Sequence, residues 1–466
     1  MQKEDIRKEL DIEIKKKKSL SISIKEGAYA NMSGLGDSLI TPLATEIGAN
    51  SIHIGFLNAL SGLASPLAMI HGDRLMEKHS RRTIVAKYVL YNALMWLPIA
   101  IIGFLFYKDI LTIYLPWILI ILYSALAYFG GLGHPAWFSW MGDLIEEKER
   151  GKYLSKRNAI IGTAGAIVVL IGGWALKYFR SMNYLFLGFS FLFILSFVFR
   201  LLSHACIKKQ YEPKFRLEKR DYFSFWSFIK RYDSFGKFAV YQAFFNLAIM
   251  IASPFFAFYM LKNLGLETNY LLYMVITLAS TGFYLIFTPL AGKFSDKYGN
   301  LKLMYIANSL FILNPLIWLF VKTPLTIILI PQLVSGLANA TLTMAITGYT
   351  YDAVSQKNRG LCVTYTNVLI GLGVLVGSLL GGYLIATIHT TINSFFVVFI
   401  IAAIARFIVA IFFLPQLKEV KRVKQLSVSN LHLPIHFHLT NPLKYIHGLN
   451  PFISNKSEKS KLLSSI

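Results

Sequence analysis

The sequence predicts an all-α membrane protein with twelve transmembrane helices arranged as two six-helix repeats. Of its 466 residues, 55% are hydrophobic and only 15% are charged. Uncharged runs of about 20 residues recur along the chain, and each is long enough to cross a bilayer as a helix. Lipid offers no partner to backbone N–H and C=O groups, so these runs must form helices. The two halves of the chain also repeat the same residues in the same order.

Twelve apolar runs define the predicted spans. They cover approximately residues 27–47, 51–71, 83–106, 113–142, 156–178, 182–204, 237–261, 269–291, 301–321, 325–351, 361–387 and 392–414. An even number of spans places both termini on the same side of the membrane. The predicted domains are an N-terminal tail (1–26), a six-helix bundle (27–204), a linker (205–236), a second six-helix bundle (237–415) and a C-terminal tail (416–466). The linker is basic and then aromatic, which indicates a helix lying along the membrane surface.

The net charge of +23 follows from the positions of the cations. By this span assignment, 41 of the 47 Lys and Arg residues lie in or beside connectors on one side, and Arg406 lies within a span near enough to its end to extend its charge into water. The cations on the other side are Lys108, Lys177, Arg180, Lys262 and Lys322. Cytoplasmic loops carry such an excess of Lys and Arg. We therefore expect a cell-membrane protein with both termini cytoplasmic and with no nucleic-acid partner.

The repeats can be aligned residue by residue. Asp143 and Arg150 recur, with the same spacing, as Asp352 and Arg359. The segment LFYKDILTI at 105–113 recurs as LFVKTPLTI at 319–327. In the first spans of the two halves, Tyr29 and Pro42 match the equally spaced Tyr241 and Pro254. The separation between copies drifts with loop length, but the order of the copies is kept, which indicates a duplication.

A charged turn between two spans carries the most specific signal. The segment PLAGKFSDKYGNLK at 289–302 contains two glycines, one carboxylate and several cations, and DRLMEKHSRR at 73–82 occupies the same place in the first half. This pair of loops resembles the signature loops of the major facilitator superfamily, which follow the second and eighth spans. The segment 254–266 is similar to a prokaryotic branch of that family whose substrate is undefined.

The resemblance implies a transporter fold with its substrate site between the two halves. It also implies a gate of loop charges and neighbouring helix ends that holds the cytoplasmic side shut. The gate residues by position are Glu77, Arg81, Arg82, Asp143, Arg150, Gly292, Asp296, Lys297, Gly299, Asp352 and Arg359. The alternative interpretation is a basic loop with solvated ion pairs worth ~0–1 kcal/mol each.

Two titratable groups are predicted within the membrane. Asp37 in the first span lies 12 residues past Lys25, about 18 Å along the helix, and His134 in the fourth span lies nine residues before Asp143, about 13 Å from the helix end. An intramembrane carboxylate is a functional candidate by default. We expect Asp37 to carry a coupling proton with His134 as its partner. The alternatives are a helix-bending aspartate bonded to Ser33 or Thr41 and a neutral imidazole bonded to a carbonyl.

Other polar side chains on the presumed cavity spans are candidates for binding the substrate. They are Asn31, Tyr128, Trp137, Tyr241, Gln242, Asn246, Gln332, Ser335 and Asn339. Aromatic rings with amides suit a small organic solute that forms hydrogen bonds. Alternatively, each of them joins two helices at ~0.6–2 kcal/mol per bond. Glycines at four-residue spacing (Gly373, Gly377 and Gly381) predict a close contact of the eleventh span with a neighbouring helix.

The predicted function is secondary active transport of a small organic solute by alternating access, coupled to protons. The alternatives are an uncoupled facilitator and a membrane sensor that does not transport. Neither a GxxxxGK[ST] loop nor an HExxH motif occurs, so we predict that the chain is not an enzyme. We expect a monomer in the lipid bilayer, with no cofactor or metal. The histidines of the C-terminal tail (His432, His436, His438 and His447) are expected to belong to a disordered segment.

Overall fold

The regular structure consists of helices. A computed structural model describes residues 2–146, 149–213, 224–389 and 391–420, apart from the side chains of 2–9, 150–152 and 356–358. The tail histidines and the side chain of Arg150 therefore lie outside the described residues. No β-strand occurs in the described part of the chain.

Sixteen α-helices follow one another in these described residues. In the N-terminal half they are α1 (Gln2–Ser33), α2 (Leu35–Glu46), α3 (Ser51–Leu75), α4 (Arg81–Tyr107), α5 (Leu115–Leu144), α6 (Arg150–Ser181) and α7 (Leu185–Lys208). In the linker and C-terminal half they are α8 (Phe225–Ile229), α9 (Ser234–Met250), α10 (Ser253–Lys262), α11 (Tyr270–Tyr298), α12 (Asn300–Ile317), α13 (Pro324–Ile327), α14 (Leu333–Ala353), α15 (Gln356–Thr387) and α16 (Ser394–Phe413).

Every predicted span coincides with one of these helices or with a consecutive pair. Ten helical segments of the described residues are long and apolar enough to cross a membrane. The other two predicted spans are the first, which is split into α1 and α2, and the ninth, α12, which has 18 residues. We call the side with connectors 76–80, 209–213 and 354–355 the basic face. The side with connectors 47–50, 108–114 and 263–269 is the opposite face.

The first and seventh spans are both broken. The first breaks at Gly34, whose N–H bonds to the carbonyl of Asn31 at 3.1 Å instead of continuing the α-helical pattern. The seventh breaks between α9 and α10, just before Pro254, which has no N–H to donate. Broken helices of this kind are typical of transporters, because they leave backbone groups and side chains free to line a site.

Arg406 does not extend toward water, contrary to the expectation from sequence. Its side chain is fully buried in α16. The guanidinium donates to the carbonyls of Phe311 at 2.6 Å and Ile249 at 3.0 Å, so it joins α12 and the broken seventh span to α16. An arginine in a low-dielectric interior needs several acceptors. Here backbone carbonyls supply them.

The glycine stripe of α15 makes the close contact that its spacing predicts. A Cβ atom at Gly373 or Gly377 would lie 2.2 Å from a carbonyl oxygen of α9. The opposite surface of α15 contacts α3 of the other half, where a Cβ at Gly55 would lie 2.8 Å from the Ser378 carbonyl. Glycine therefore allows α15 to pack closely against helices of both halves.

Candidate functional site

Asp37 lies directly beyond the break in the first span. It occupies the first turn of α2, where unpaired N–H groups favour a negative charge. Its side chain is exposed although it lies far along the span. Tyr123 of α5 donates a hydrogen bond from its hydroxyl to Asp37 Oδ1 at 3.3 Å. Neither Ser33 nor Thr41 bonds to it: the Ser33 hydroxyl donates to the Ser196 carbonyl instead, at 2.8 Å.

The structure does not bring the predicted partner His134 beside Asp37, whose hydrogen-bond partner is Tyr123. Ser23 and Met141 make contact at 3.4 Å, which fixes the register of α1 against α5. Toward the opposite face, Asp37 lies fourteen residues beyond Ser23 in the first span. His134 lies only seven residues from Met141 along α5 in the same direction. Tyr123, which does contact Asp37, is eleven residues from His134, about 16 Å along α5. The sequence estimate failed because α1 continues beyond the membrane and the assumed helix ends were not level.

A buried charged cluster lies below Asp37, toward the basic face. Glu26 is 4% exposed and pairs with Arg157 of α6 at 3.4 Å. Ser203 of α7 also donates to Glu26, at 3.0 Å. Glu26 is the last residue of the predicted N-terminal tail and was therefore not among the candidate site residues. Trp137, predicted to line the cavity, instead packs against the Arg157 guanidinium, whose carbon lies 4.9 Å from the ring centroid.

Arg200 lies between this cluster and Asp37. The sequence analysis counted it with the basic connectors, but it lies inside α7. Its Nε donates to Asn92 Oδ1 at 2.9 Å, and Asn92 in turn donates to the Leu126 carbonyl at 2.8 Å. Arg200 thus joins α7 to α4 and, through Asn92, to α5.

Several of the predicted cavity residues are accessible. Asn31 and Asn339 are exposed, while Tyr128 and Ser335 are half-buried. The Ser335 hydroxyl contacts that of Ser280 at 3.2 Å. A cavity of about 260 Å³ lies beside them in the C-terminal half, lined by Ser280, Thr281, Tyr284, Asn339 and Thr343. Hydroxyl and amide groups thus line this cavity, and Asn339 is the one lining residue that was predicted from sequence.

Other predicted cavity residues belong to the core of the C-terminal half in this conformation. Tyr241 is fully buried and accepts a hydrogen bond from Asn308 Nδ2 at 2.6 Å. Gln242 and Gln332 are buried as well, and the half-buried Asn246 donates to the Gln242 carbonyl at 2.9 Å. For Tyr241 and Asn246, the alternative of hydrogen bonds within and between helices therefore describes the contacts better. Their polarity alone could not distinguish these roles.

The two halves make matching contacts at the basic face. Arg81 Nη1 donates to Asp143 Oδ2 at 2.6 Å, and Asn300 Nδ2 donates to Asp352 Oδ2 at 2.7 Å. Arg81 and Asn300 occupy equivalent positions, because the number of residues between them equals the number between the two loop copies. Each is the first residue of its helix. Each contact joins the third helix of a half to the end of the fourth. In the C-terminal half, Asn300 thus takes the place of Arg81 as the donor to the aspartate.

Carboxylates after the sixth and twelfth spans extend the same pattern. Glu212 accepts from the backbone N–H of Arg81, and Glu419 accepts from that of Leu301, both at 2.8 Å. Trp140 and Tyr349 occupy equivalent positions in the two halves, and each donates to the carbonyl that directly precedes one of these glutamates, at 3.0 and 3.2 Å. Negative charge at a helix N-terminus is favourable. Each half therefore fixes three of its helices together at this face.

The remaining loop residues have other contacts. Arg82 donates to the Gln210 carbonyl at 3.3 Å, and Lys297 lies 4.9 Å from the Tyr298 ring centroid. Arg359 donates to the carbonyls of Tyr351 and Val354 rather than to Asp352. Glu77 and Asp296 also interact with neighbouring groups. Of the loop glycines, Gly292 is in helix α11, and Gly299 alone has a positive φ, 101°, where the chain turns into α12.

At the opposite face a charged network joins the two halves. Arg180 at the end of α6 donates to Glu46 Oε1 and to the Glu267 carbonyl, both at 2.7 Å. Tyr270 of α11 donates its hydroxyl to Glu46, and Lys262 pairs with the Glu267 carboxylate at 3.2 Å. Glu46 and Arg180 belong to the first half, whereas the other three residues belong to the second. The network therefore links the two halves at the opposite face.

Comparison with known proteins places this architecture in a family. The family model described as Major Facilitator Superfamily matches residues 28–283 and 238–453. An uncharacterized transporter of Schizosaccharomyces pombe is 31% identical over 98 residues, 21% of this chain and 17% of that protein. Multidrug resistance protein 2 of Bacillus subtilis is 27% identical over 146 residues, 31% of this chain and 35% of that protein. The matched stretches thus span well under half of either relative.

Solved structures share the whole fold. The nucleoside transporter NupG superposes with a TM-score of 0.60 at 16% identity, covering 85% of this chain and 98% of that one. The D-xylose-proton symporter superposes with a TM-score of 0.63 at 16% identity, covering 90% and 99%. At such identities the likeness concerns the fold alone. Together with the two family-model matches and the duplicated six-helix halves, it shows that the chain belongs to the Major Facilitator Superfamily.

Proposed function

We propose that this protein is a secondary active transporter that couples the movement of a small organic solute to that of protons. The observation that carries the proposal is Asp37, an accessible carboxylate at the break of the first span. A carboxylate within a membrane span is costly and usually functional. Because the side chain is exposed within the span, it can take up a proton from one side and release it to the other as the two halves rock.

The two faces act as alternating gates in this proposal. The network of Arg180, Glu46 and Tyr270 links the halves at the opposite face, and we assign it the role of the gate on that side. The contacts of Asp143 and Asp352 hold the helix ends of each half together at the basic face, which we assign to the cytoplasm from its excess of cations. Rocking of the halves about a central site would then break one set of interactions between halves and form another.

The chemistry of the cavity wall indicates the kind of solute. Serine, threonine, tyrosine and asparagine side chains line the C-terminal cavity, and Tyr123 and Asp37 lie in the N-terminal half. Such groups bind polar solutes that offer hydrogen-bond donors and acceptors. The names of related proteins mention drugs, nucleosides and D-xylose, so they favour no single substrate.

Two measurements test this proposal. A thermal-shift screen of the purified protein against metabolites and drugs identifies ligands, because a compound that binds only the folded state raises the melting temperature. Uptake of the identified compound into proteoliposomes, with and without an imposed pH gradient, then separates the candidate functions. Proton-coupled transport responds to the gradient. An uncoupled facilitator does not respond, and a sensor gives no uptake.

A further inference from the structure

Two seams between the halves differ in length, one formed by α3 and α15 and the other by α6 and α11. At the α3–α15 seam, the Ser51 hydroxyl donates to the Gly382 carbonyl at 3.1 Å near the opposite face. Toward the basic face, Asn367 Nδ2 donates to Met69 Sδ at 3.9 Å. Ser51 and Met69 are 18 residues apart on α3, or about 27 Å. The halves therefore contact each other along most of the length of α3.

The contacts of the α6–α11 seam lie near the opposite face. A Cβ atom at Gly173 of α6 would lie 2.9 Å from Met274 Cγ and 3.1 Å from Leu271 Cα. Both residues belong to the first two turns of α11. Arg180 and Tyr270, which share the carboxylate of Glu46, lie at the same end of the two helices. These contacts cover only the beginning of α11.

One side of α11 continues from these contacts toward the basic face. At spacings of three and four residues, which place side chains on one side of a helix, it carries Leu271, Met274, Leu278, Thr281, Leu285 and Pro289. Met274 is fully buried and Leu278 is half-buried. Thr281 and Pro289 are exposed, and Leu285 is 53% exposed. The side of α11 that packs against α6 at one end is therefore uncovered farther along.

The facing side of α6 changes in the same way. Ala166, Gly162 and Ala159 share a side of the helix with Gly173, at spacings of seven, four and three residues. Ala166 is half-buried and Ala159 is exposed. A Cβ atom at Gly162 would meet no atom of the described residues within 4 Å. The α6–α11 seam is thus open toward the basic face on both of its helices.

The open stretch lies at the depth of lipid tails. Leu285 comes eight residues before Lys293, the first charged residue of α11, and therefore lies about 12 Å deeper in the membrane. The hydrocarbon core of a bilayer is about 30 Å thick, so each leaflet contributes about 15 Å. An opening at Leu285 consequently faces the acyl chains of the leaflet on the basic face.

The polar cavity of the C-terminal half adjoins this open stretch. Thr281 belongs to both, because it lies one turn before Leu285 and lines the cavity together with Tyr284 and Asn339. The other lining residues, Ser280 and Thr343, are hydroxyl-bearing and uncharged. A neutral polar cavity that continues into an exposed apolar surface is complementary to a molecule with a neutral head group and an apolar tail.

We propose that the α6–α11 seam admits an amphipathic solute from the leaflet on the basic face. Its neutral, hydroxyl-bearing head group binds in the cavity beside Thr281, Tyr284 and Asn339, and its apolar tail lies along Leu285 and Pro289. Burial of the tail against Leu285 adds affinity that the head group alone does not have. This inference rests on the proposed transport function and specifies the class of its solute and the route of entry.

The test measures binding without transport. A bimane fluorophore is attached to Gly162→Cys, on the α6 side of the seam, with Cys206 and Cys362 replaced by serine, and the protein is placed in lipid nanodiscs. A monoacylglycerol with a nitroxide on its chain should quench the bimane, and the quenching should saturate. Unlabelled monoacylglycerol should reverse the quenching, whereas glycerol should not. Phosphatidylcholine with the same nitroxide has a charged head group, so its quenching should rise without saturating.

A matched pair of variants makes the test specific. Leu285→Gln should raise the half-saturating concentration of the nitroxide monoacylglycerol about fourfold or more, because losing the contact of even one methylene group changes a binding constant by about that factor. Ile286→Gln changes the exposed neighbour outside the seam and should leave this concentration unchanged. Both side chains are exposed, so both variants should fold.

Three results would overturn the proposal: quenching that does not saturate, reversal by glycerol, or equal effects of Leu285→Gln and Ile286→Gln. Uptake assays test the transport function separately. Uptake of a water-soluble compound together with unsaturable quenching would reject the seam and leave transport standing. Saturable binding of the monoacylglycerol without uptake of any compound would reject transport and leave the binding site standing.

Discussion

Arg81 and Asn300 occupy equivalent positions in the two halves, and each donates a hydrogen bond to the equivalent aspartate, Asp143 or Asp352. Duplication therefore preserved the contact although the donor changed from a guanidinium to an amide. The guanidinium is fully buried while the carboxylate of Asp143 is about half exposed. Both bonds have a carboxylate acceptor, but only the Arg81–Asp143 bond also joins two opposite full charges, which adds a Coulomb attraction that the Asn300 amide lacks. The two halves consequently hold their basic-face ends with unequal strength.

This asymmetry predicts different effects of removing the two aspartate charges. Asp143→Asn should slow transport more than Asp352→Asn, because it leaves the buried Arg81 with a weaker partner. Both variants should remain inserted, since the two side chains are exposed at the face of the bundle. The measurement is the initial uptake rate in proteoliposomes at equal protein content. Asp109→Asn, at the opposite face, is the control. Equal uptake rates for all three variants would show that these contacts do not act as a gate and that the loops are only basic connectors with solvated ion pairs.

The network at the opposite face predicts a shift in conformation. Arg180→Ala removes the bonds to Glu46 and to the Glu267 carbonyl, so molecules open at that face should become more populated. Coupling free energies of about 1–3 kcal/mol correspond to changes of about 5- to 150-fold in the ratio of the two conformations. Spin labels at positions 182 and 263, with Cys206 and Cys362 replaced by serine, should report longer distances in this variant.

The control for this variant is Lys177→Ala, three residues earlier on the same helix and exposed. It removes a cation from the same face but no contact of the network. The distance distribution of Lys177→Ala should match that of wild type. If Arg180→Ala also matches wild type, the network does not hold the face closed.

Removal of Arg406 should lower stability. Arg406→Met leaves the carbonyls of Phe311 and Ile249 without their donor in an apolar interior. Each unsatisfied buried group costs about 1–3 kcal/mol. We expect a lower melting temperature in detergent than for Phe407→Met, which changes the exposed neighbour. Equal melting temperatures of the two variants would show that Arg406 does not stabilise the break in the seventh span.

Membrane topology gives a prediction that depends on the charge asymmetry. Single cysteines at positions 18 and 356 should react only from the cytoplasmic side, and one at position 263 only from outside. The reason is the excess of cations in the connectors of the basic face. An impermeant maleimide applied to intact cells and to inverted vesicles makes the measurement. Reaction of positions 18 and 263 from the same side would contradict the twelve-span arrangement.

The fold was predictable from the sequence because lipid imposes helices on apolar runs and because the repeats can be aligned. The candidate site was predictable only in part. Asp37 is conspicuous as a carboxylate within a span, but Glu26 stands at the edge of the first apolar run, where a charge is ordinary. Arg200 was grouped with the basic connectors for the same reason.

The contacts between side chains of different helices were harder to predict than the positions of the polar residues. The depth of His134 relative to Asp37 depends on the register of α5 against α1, and no local pattern specifies that register. Tyr241 is polar and lies on an expected cavity helix, yet its hydroxyl accepts a bond from Asn308 inside the half. Arg200 and Arg406 both lie inside the last span of their half, a placement that could have been read from the sequence.

The central claim is that Asp37 carries the coupling proton, and accumulation against a gradient tests it most directly. Wild-type protein and Asp37→Asn are reconstituted side by side, and uptake of the compound found by thermal shift is followed with and without an imposed pH gradient. We expect that Asp37→Asn no longer accumulates the compound but still exchanges it between the two sides. Accumulation by Asp37→Asn in response to the pH gradient would mean that Asp37 does not carry the coupling proton and is a structural residue.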